Sequence, residues 1–196
     1  MSTNENINSN KFLELISKAN SSKLFWILSF SVLTAVAAQI TVPVKPVPFT
    51  LQTMIVVLAG AFLGAKNGAY SQIIYLILGC IGLPVFAQIP DPAIGIARLL
   101  GPTGGYLLAF PIAAFVTGYL IERNKKYLRV VASMFAGSII ILIIGSFYFG
   151  SIYLHNIKEA LISGAVVFSV WEVVKVFAAA SIFWGISKRF SKMPNK

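Results

Sequence analysis

Residues 83–110 read LPVFAQIPDPAIGIARLLGPTGGYLLAF, and this stretch decides how the rest of the sequence is interpreted. It lies between two long apolar segments, yet it holds four prolines, several glycines, one acidic residue and one basic residue. Irregular backbone at membrane depth is tolerated only where protein buries it or where it lines a cavity. We therefore interpret the stretch as the lid or wall of a binding site on a bundle of helices.

The composition is that of a membrane protein. Of the 196 residues, 57% are hydrophobic and only 11% are charged, and the mean hydropathy is +0.82. Soluble domains are about 45–50% apolar and about 25% charged. Because each membrane-spanning helix needs about 20 apolar residues plus a connection, the length suits about six spans. The sequence predicts an all-α integral membrane protein, a bundle of six transmembrane helices with an outward-facing ligand pocket capped by extracellular loops.

The predicted spans divide the chain into three regions. A cytoplasmic N-terminal segment covers residues 1–23, a membrane domain covers 24–188, and a cytoplasmic tail covers 189–196. Span boundaries are set where proline or glycine stops an apolar run. The six spans cover residues 24–40, 51–63, 69–82, 106–121, 130–153 and 161–186.

The net charge of +10 indicates orientation in a membrane rather than nucleic-acid binding. With six spans and both termini on one side, twelve Lys or Arg residues fall on that side. The other side carries only Lys45, Arg98 and Lys158. Because basic residues are enriched in cytoplasmic loops, we predict cytoplasmic termini and a plasma-membrane location. The two proline-rich loops, around Pro46 and Pro90, then share the outer face.

The last predicted span carries an acidic and a basic residue, Glu172 and Lys175. They are three residues apart and therefore share one face of a helix. A charge near the centre of a membrane helix costs about 2.5–3.5 kcal/mol, so such residues usually face a cavity or a partner. A structural ion pair is the simpler interpretation. We favour a polar fork for a ligand, in which the carboxylate accepts N–H bonds and the ammonium donates to a carbonyl or carboxylate.

Further candidates lie in the outer loops and beside them. Asp91 and Arg98 either orient a ligand or solvate the loop. Gln52 either points into the bundle or caps a turn. Aromatic rings could stack on a ligand or simply pack in the core, and the candidates are Phe86, Tyr106, Phe110 and Trp171.

The sequence lacks the motifs of several kinds of catalysis. There is no GxxxxGK[ST] phosphate loop, so ATP hydrolysis by this chain is not expected. There is no HExxH motif, and the single histidine, His155, is predicted in an outer connection, which argues against metal or histidine catalysis. The lone Cys80 lies in an apolar run and forms no disulfide framework. We expect a small membrane receptor without a cofactor or a catalytic residue.

Small residues recur at a spacing of four, which lets helices approach closely in lipid. Packing inside the bundle is the favoured interpretation of each pair. Ser31 and Ala35 on the first span could instead face a partner protein. The series in later spans are Gly60, Gly64 and Gly68, and Ala109 and Ala113.

Four motifs follow one another along the chain. They are VPVKPVPFTLQT (42–53), ILGCIGLPVFA (77–87), LLGPTGGYLLAFPIAAFVTG (99–118) and WEVVK (171–175). In this order they resemble the BioY family, the biotin-binding S components of energy-coupling factor (ECF) transporters. The resemblance runs from about residue 29 to residue 188, and the strings PVPFTLQT and GPTGGYL are its most specific parts.

The resemblance implies a function and a set of partners. The chain would bind biotin from the outside at high affinity as the S component of an ATP-driven vitamin transporter. Its partners would be a transmembrane coupling subunit and a pair of cytoplasmic ATPases. The AxxxA motif with which S components dock on the coupling subunit corresponds to Ser31 and Ala35 in this sequence.

The resemblance also implies the site residues. A carboxylate and a lysine on the family's last helix correspond to Glu172 and Lys175, with Glu in place of the more frequent Asp. In the long loop, AQIPDPAIGIAR departs from the family's glycine-rich stretch, and Gln88 or Asp91 would bond the biotin ring. The remaining predicted ligand contacts are Thr50, Gln52, Phe86, Arg98 and Tyr106.

Three alternatives remain. One is an S component for a different small vitamin. Another is an intramembrane enzyme that uses Glu172 as a general base. A purely structural subunit would bind no small molecule.

Overall fold

The structure, a computed structural model, describes residues 22–42, 47–87, 93–163 and 167–190. The described residues are largely helical, which confirms the predicted all-α class. The predicted N-terminal segment before residue 22, the tail after residue 190, and the loop candidates Gln88 and Asp91 lie outside the described residues. The elements are α1 (Lys23–Gln39), β1 (Thr41–Val42), β2 (Phe49–Thr50), α2 (Gln52–Cys80), α3 (Ile96–Leu99), α4 (Gly104–Leu108), α5 (Phe110–Arg123), α6 (Tyr127–Phe149), α7 (Ile157–Leu161) and α8 (Val167–Phe190).

Several helices have the length and composition of membrane spans. Within the described residues, four stretches are long and apolar enough to cross a membrane, and α1 is an apolar helix of 17 residues. Many large apolar side chains on these helices are exposed, as expected for surfaces that face lipid. The protein is therefore a multi-pass membrane protein. The four stretches are Gln52–Cys80, Gly104–Arg123, Tyr127–Leu154 and Val170–Arg189.

Helix α2 consists of two helical segments joined by a reversal at Gly64. The φ of Gly64 is 80° and its ψ is 179°, a backbone conformation that glycine adopts without a Cβ clash. A Cβ placed on Gly68 would lie 2.8 Å from the Cα of Gly60. Residues eight apart in a straight helix are about 12 Å apart, so the chain folds back on itself here. The Glu122 carboxylate accepts a hydrogen bond from the Ala65 N–H (2.9 Å) at the start of the second segment.

Small residues bring α5 directly against this reversal. A Cβ on Gly60 would lie 2.2 Å from the Ala114 carbonyl oxygen, and a Cβ on Gly118 would lie 2.5 Å from the backbone of the second segment. Ala109 and Ala113 are fully buried. The predicted packing role of these residues is confirmed. The connection between the predicted spans 51–63 and 69–82 is shorter than expected, because residues 65–68 are already helical.

The proline-rich connection after α1 contains more structure than the sequence predicted. We expected only a helix break there, but β1 and β2 pair in antiparallel register, with Thr41 opposite Thr50 and Val42 opposite Phe49. Backbone N–H and C=O groups near the membrane need protein partners, and this ladder supplies some of them. The pairing also holds Thr50 at the beginning of α2.

The predicted start of the sixth span coincides with the end of a short helix. Residue 161 is the last residue of α7, and α8 is described from Val167 to Phe190. A π-helical turn, Gly150–Leu154, follows α6, and the left-handed conformation of His155 (φ 50°) breaks the chain direction. The polar residues of HNIKE (155–159) mark the connection at the start of α7, whereas residues 160–167 are largely apolar.

The core lies in two clusters of buried apolar side chains, and each occupies one end of the bundle. The first cluster contains Tyr75, Phe86, Tyr106 and Phe110. The second contains Val130, Met134 and Phe183, which lie near the basic helix ends. At the same end, the ring centroids of Tyr127 and Trp184 are 5.6 Å apart. The exposed basic side chains of this end are Lys23, Lys66, Arg123, Lys125, Lys126, Arg129, Lys188 and Arg189.

Candidate ligand-binding site

A pocket lies at the end of the bundle away from the basic residues. It is formed where the starts of α2 and α8 meet a wall made by residues 86–87 and 98–110. Seven of the nine predicted ligand contacts lie in the described residues, and all seven line this one pocket. Contact with a ligand stays a prediction for each of them. The seven are Thr50, Gln52, Phe86, Arg98, Tyr106, Glu172 and Lys175.

Glu172 and Lys175 form a buried ion pair on one face of α8. Their exposed fractions are 5% and 4%, and the Lys175 ammonium contacts Oε1 of Glu172. The Thr53 hydroxyl also donates to this Oε1, at 2.8 Å. The second carboxylate oxygen, Oε2, is buried and has no hydrogen-bond partner within the described residues. The pocket therefore contains a charged acceptor whose bonding is incomplete.

Lys175 is bonded more completely than the sequence suggested. Besides Glu172, its ammonium donates to the Thr53 hydroxyl at 2.5 Å and to the Thr50 carbonyl oxygen at 3.1 Å. An ammonium has three N–H donors, and these three contacts use them all. The predicted bond from Lys175 to a ligand carbonyl therefore requires one of the protein contacts to be exchanged.

Gln52 points into the bundle, which resolves the alternative left open by the sequence. Its side chain is 4% exposed and lines the pocket. Its Nε2 donates to the Tyr75 hydroxyl at 2.5 Å, and its Oε1 accepts from the Thr50 hydroxyl at 3.0 Å. Both ends of the amide are therefore held by protein groups.

Arg98 does not solvate the loop. It is 5% exposed, lies in α3, and donates from Nη2 to the Ala87 carbonyl oxygen. It therefore brings a positive charge to the pocket wall, on the same side as Phe86. Asp91, the acidic loop candidate, lies outside the described residues.

The aromatic candidates divide into two groups. Phe86, Tyr106 and Phe110 are buried and line the pocket. Trp171 is 42% exposed and does not line it, which disfavours the ligand-stacking alternative for this residue. Because Trp171 directly precedes Glu172 on a helix, the two side chains point in different directions.

The two residues of the predicted docking pair on α1 differ in burial, and docking on a partner stays a prediction. Ser31 is fully buried and donates to the Ser71 carbonyl oxygen at 2.5 Å, and Ala35 packs against the core. The burial of Ser31 counts against its direct contact with a coupling subunit. The small side chain instead lets α1 approach the second segment of α2.

Three polar residues of the site were missed by the sequence analysis. Thr53 and Thr103 line the pocket, and Tyr75 bonds the Gln52 amide. The sequence could have indicated Thr53, because it lies three residues after Thr50 in the quoted motif and close to Gln52 at the start of α2. Nothing in the sequence indicated Tyr75, because a tyrosine in an apolar run is usually a core or interface residue.

The donors and acceptors of the pocket suit a ligand that carries a small polar group on a mainly apolar body. Aromatic and aliphatic walls surround a few fixed polar groups, the usual composition of a small-molecule site. The cavity is narrow, with a volume of about 60 Å³, which is enough for a few water molecules. Within the described residues, no group of three or more His, Cys, Asp or Glu side chains could hold a metal ion.

These features define a class: a small, multi-pass helical membrane protein with a mainly apolar pocket and a buried acid–base fork. The family model described as the BioY family matches residues 8–192, and the chain belongs to this family.

Relatives from distant organisms cover most of the chain. A protein of Thermotoga maritima named biotin transporter BioY is 40% identical over 159 residues, 81% of this chain and 92% of that protein. A probable biotin transporter BioY of Pyrococcus horikoshii is 44% identical over 153 residues, 78% of this chain and 88% of that protein. These relatives are named as transporters, so the chain groups with transporters rather than with enzymes.

A solved structure shares the fold. The crystal structure of the S-component for biotin from an ECF-type ABC transporter matches with a TM-score of 0.77 and 24% sequence identity. The match covers all of this chain and 96% of that one. The arrangement of helices is therefore that of an S component.

Proposed function

We propose that this chain captures biotin for uptake across the plasma membrane, as the substrate-binding subunit of an ECF-type transporter. The observation that carries the proposal is the unpartnered Oε2 of Glu172, buried in the pocket of a BioY-family chain. A buried polar group without a partner costs about 1–3 kcal/mol, and more when charged, so a ligand N–H that bonds it recovers that free energy. The cyclic urea of biotin carries two such N–H groups.

The rest of biotin finds complementary groups in the same pocket. Lys175 can exchange its bond to the Thr50 carbonyl for a bond to the ureido carbonyl. Phe86 and Tyr106 offer apolar surface to the sulfur ring, and Arg98 supplies positive charge for the carboxylate of the tail. The narrow cavity means that the pocket walls move apart when the ligand enters.

We propose six membrane spans with both termini in the cytoplasm and the pocket facing outward. The spans are α1, the two segments of α2, α4 together with α5, α6, and α8. Two observations support this arrangement. The reversal at Gly64 makes α2 two antiparallel segments. The exposed basic side chains gather at the end opposite the pocket, and basic residues mark the cytoplasmic side.

The energy source is proposed to lie in partner subunits. This sequence has no phosphate-binding loop of the GxxxxGK[ST] type, so the chain itself is not expected to hydrolyse ATP. The likeness to an S-component of an ECF-type ABC transporter supports partnership with a transmembrane coupling subunit and a pair of cytoplasmic ATPases.

The proposal is tested by titrating the purified, detergent-solubilised full chain with biotin by calorimetry, with thiamine and riboflavin as controls. We expect saturable one-to-one binding of biotin alone, and chemically unchanged biotin recovered from the complex. Binding of thiamine or riboflavin in place of biotin would keep the receptor class and replace the ligand. No binding of any of the three by protein with a cooperative melting transition would overturn the proposal, and conversion of biotin to another compound would favour an enzyme.

A further inference from the structure

Tyr75 is a fully buried residue that touches two walls of the pocket without lining it. It lies on the second segment of α2, and its side chain is inaccessible to solvent. Its hydroxyl accepts a hydrogen bond from Nε2 of Gln52 at 2.5 Å and donates one to the Val85 carbonyl oxygen at 3.2 Å. Gln52 belongs to the pocket wall at the start of α2, and Val85 precedes Phe86 in the opposite wall.

The single proton of this hydroxyl decides which way the Gln52 amide points. A carbonyl oxygen can only accept, so the contact with Val85 uses the Tyr75 proton. The hydroxyl then has only lone pairs left for Gln52, which must present its NH₂ group. The Gln52 carbonyl oxygen is thereby directed to the other side, where it accepts from the Thr50 hydroxyl at 3.0 Å.

The ring of Tyr75 is held too firmly to change partners. It packs edge-on against Phe86, with ring centroids 5.5 Å apart, and is stacked with Phe110 at 6.3 Å. Both of these rings line the pocket. A rigid ring fixes the position of its hydroxyl, so the orientation of the Gln52 amide is fixed by the fold before any ligand arrives.

We propose that Tyr75 is a positioning residue that orients the Gln52 amide, so that Gln52 offers its carbonyl oxygen, a hydrogen-bond acceptor, to the ligand. This inference rests on the proposed function, because it assumes that the pocket binds a cyclic urea. A carbonyl oxygen has two lone pairs, and the Thr50 hydroxyl uses one of them. The remaining lone pair and the Glu172 Oε2 are two acceptors, which match the two N–H donors of a cyclic urea.

A purely structural role for Tyr75 makes a different prediction. A hydroxyl that only tied Val85 to the bundle would affect every ligand equally, with or without Gln52. A hydroxyl that orients Gln52 matters only while Gln52 is present, and it matters most for ligands with N–H donors. The test therefore measures coupling between the two residues and dependence on the ligand's N–H groups.

The experiment measures biotin affinity by calorimetry for the parent chain, Tyr75→Phe, Gln52→Ala and the double variant. We expect Tyr75→Phe to weaken binding roughly three- to tenfold, the effect of one hydrogen bond of about 0.5–1.5 kcal/mol. In the Gln52→Ala background the same change should weaken binding less than twofold. Equal losses in both backgrounds would overturn the inference, because the effect of Tyr75 would then not pass through Gln52.

Two biotin analogues, each methylated on one ureido nitrogen, give the second readout. The parent should bind at least one of them much more weakly than biotin, because methylation removes an N–H donor from a position where the acceptor is fixed. In Tyr75→Phe the amide can turn its NH₂ group toward the ligand, so the ratio of biotin affinity to analogue affinity should fall at least threefold. An unchanged ratio for both analogues would also overturn the inference.

Matched controls separate this inference from other failures. Tyr148→Phe removes a hydroxyl that donates to the Leu99 carbonyl oxygen at 3.1 Å, away from Gln52, and should leave affinity within twofold. If Tyr75→Phe does not fold, Gln52→Asn replaces it, because its shortened amide cannot reach Tyr75. A folded Gln52→Asn that binds and discriminates like the parent would overturn the inference. If the parent chain does not bind biotin, the proposed function is wrong. That result comes from the parent alone and is therefore distinct from a failure of the Tyr75 inference, which is decided by the variants.

Discussion

Two clusters of buried polar side chains lie in the bundle, and only one of them is internally complete. The closed cluster joins α1 to the second segment of α2, and the pocket cluster joins the start of α2 to α8. In the closed cluster, Ser31 donates to the Ser71 carbonyl at 2.5 Å, and Gln72 donates to Thr34 at 3.2 Å and to the Ser71 hydroxyl at 3.1 Å. In the pocket cluster, made of Thr50, Thr53, Glu172 and Lys175, the Glu172 Oε2 has no partner within the described residues.

The difference separates a structural network from a binding site. Buried polar groups are almost always hydrogen-bonded, so a complete network needs nothing from outside the protein. A buried carboxylate oxygen without a partner is costly unless something else bonds it. The sequence shows that only the pocket cluster carries charged residues, but it does not show which cluster is completely bonded. The completeness of their bonding is what separates the two roles.

The largest expected effect comes from breaking the ion pair of the pocket cluster. Lys175→Met leaves the Glu172 carboxylate buried without its cation and should lower the free energy of unfolding by about 3–5 kcal/mol. The measurement is denaturant-induced unfolding in detergent. Adding Glu172→Gln to Lys175→Met should restore most of that stability but not biotin binding. A single variant as stable as the parent would contradict the assigned pairing.

The next effect tests whether the incomplete acceptor serves the ligand. Glu172→Gln keeps the shape of the side chain but removes the charge, and should weaken biotin binding by about 1.5–3 kcal/mol, the contribution of a hydrogen bond to a charged group. Calorimetric titration measures the change. Glu122→Gln is the matched control, because Glu122 bonds the Ala65 N–H at the far end of the bundle and should leave binding within twofold. Parent-like affinity of Glu172→Gln would remove Glu172 from the site.

A smaller effect is expected in the closed cluster. Gln72→Leu removes its central amide and should lower the free energy of unfolding by about 0.6–1.7 kcal/mol, the range for hydrogen bonds between membrane helices. Biotin affinity should remain within twofold, because Gln72 does not line the pocket. A larger loss of binding than of stability would show that the closed cluster is part of the site.

The smallest effect tests whether every unpartnered polar atom marks a binding site. The Ser138 hydroxyl on α6 is also buried without a partner within the described residues, but Ser138 does not line the pocket. Ser138→Ala should raise the free energy of unfolding by about 1 kcal/mol or less, because it removes an unsatisfied group. Unfolding and biotin titration of the same sample measure both quantities. Weakened biotin binding would add Ser138 to the site.

The sequence predicted a large part of this site for a specific reason. Charges are so costly within membrane helices that Glu172 and Lys175 stand out in an apolar segment without any structure. The position of Arg98 in the long loop and the motifs that contain Thr50, Gln52, Phe86 and Tyr106 supplied the other candidates, and each of these side chains lines the pocket.

Alternatives stayed open where the sequence carried no local signal. Trp171 was one of four aromatic candidates for stacking on a ligand, but it does not line the pocket, because neighbouring residues on a helix face different directions. Ser31 was assigned to partner docking by the family resemblance, and its burial is consistent with the other interpretation, packing inside the bundle. Residue 161, the predicted start of the sixth span, lies at the end of α7.

The sequence by itself determined the class of the protein, because hydropathy and the distribution of charge are local properties, and they decide for each segment whether it spans the bilayer and in which direction. The tertiary structure alone decided which polar groups are complete and which are not. Lys175 is bonded by Thr50 and Thr53, which are 125 and 122 residues away in the chain. Hydrogen-bond partners at that separation meet only when the helices pack, so the incomplete Oε2 of Glu172 appears only in the folded bundle.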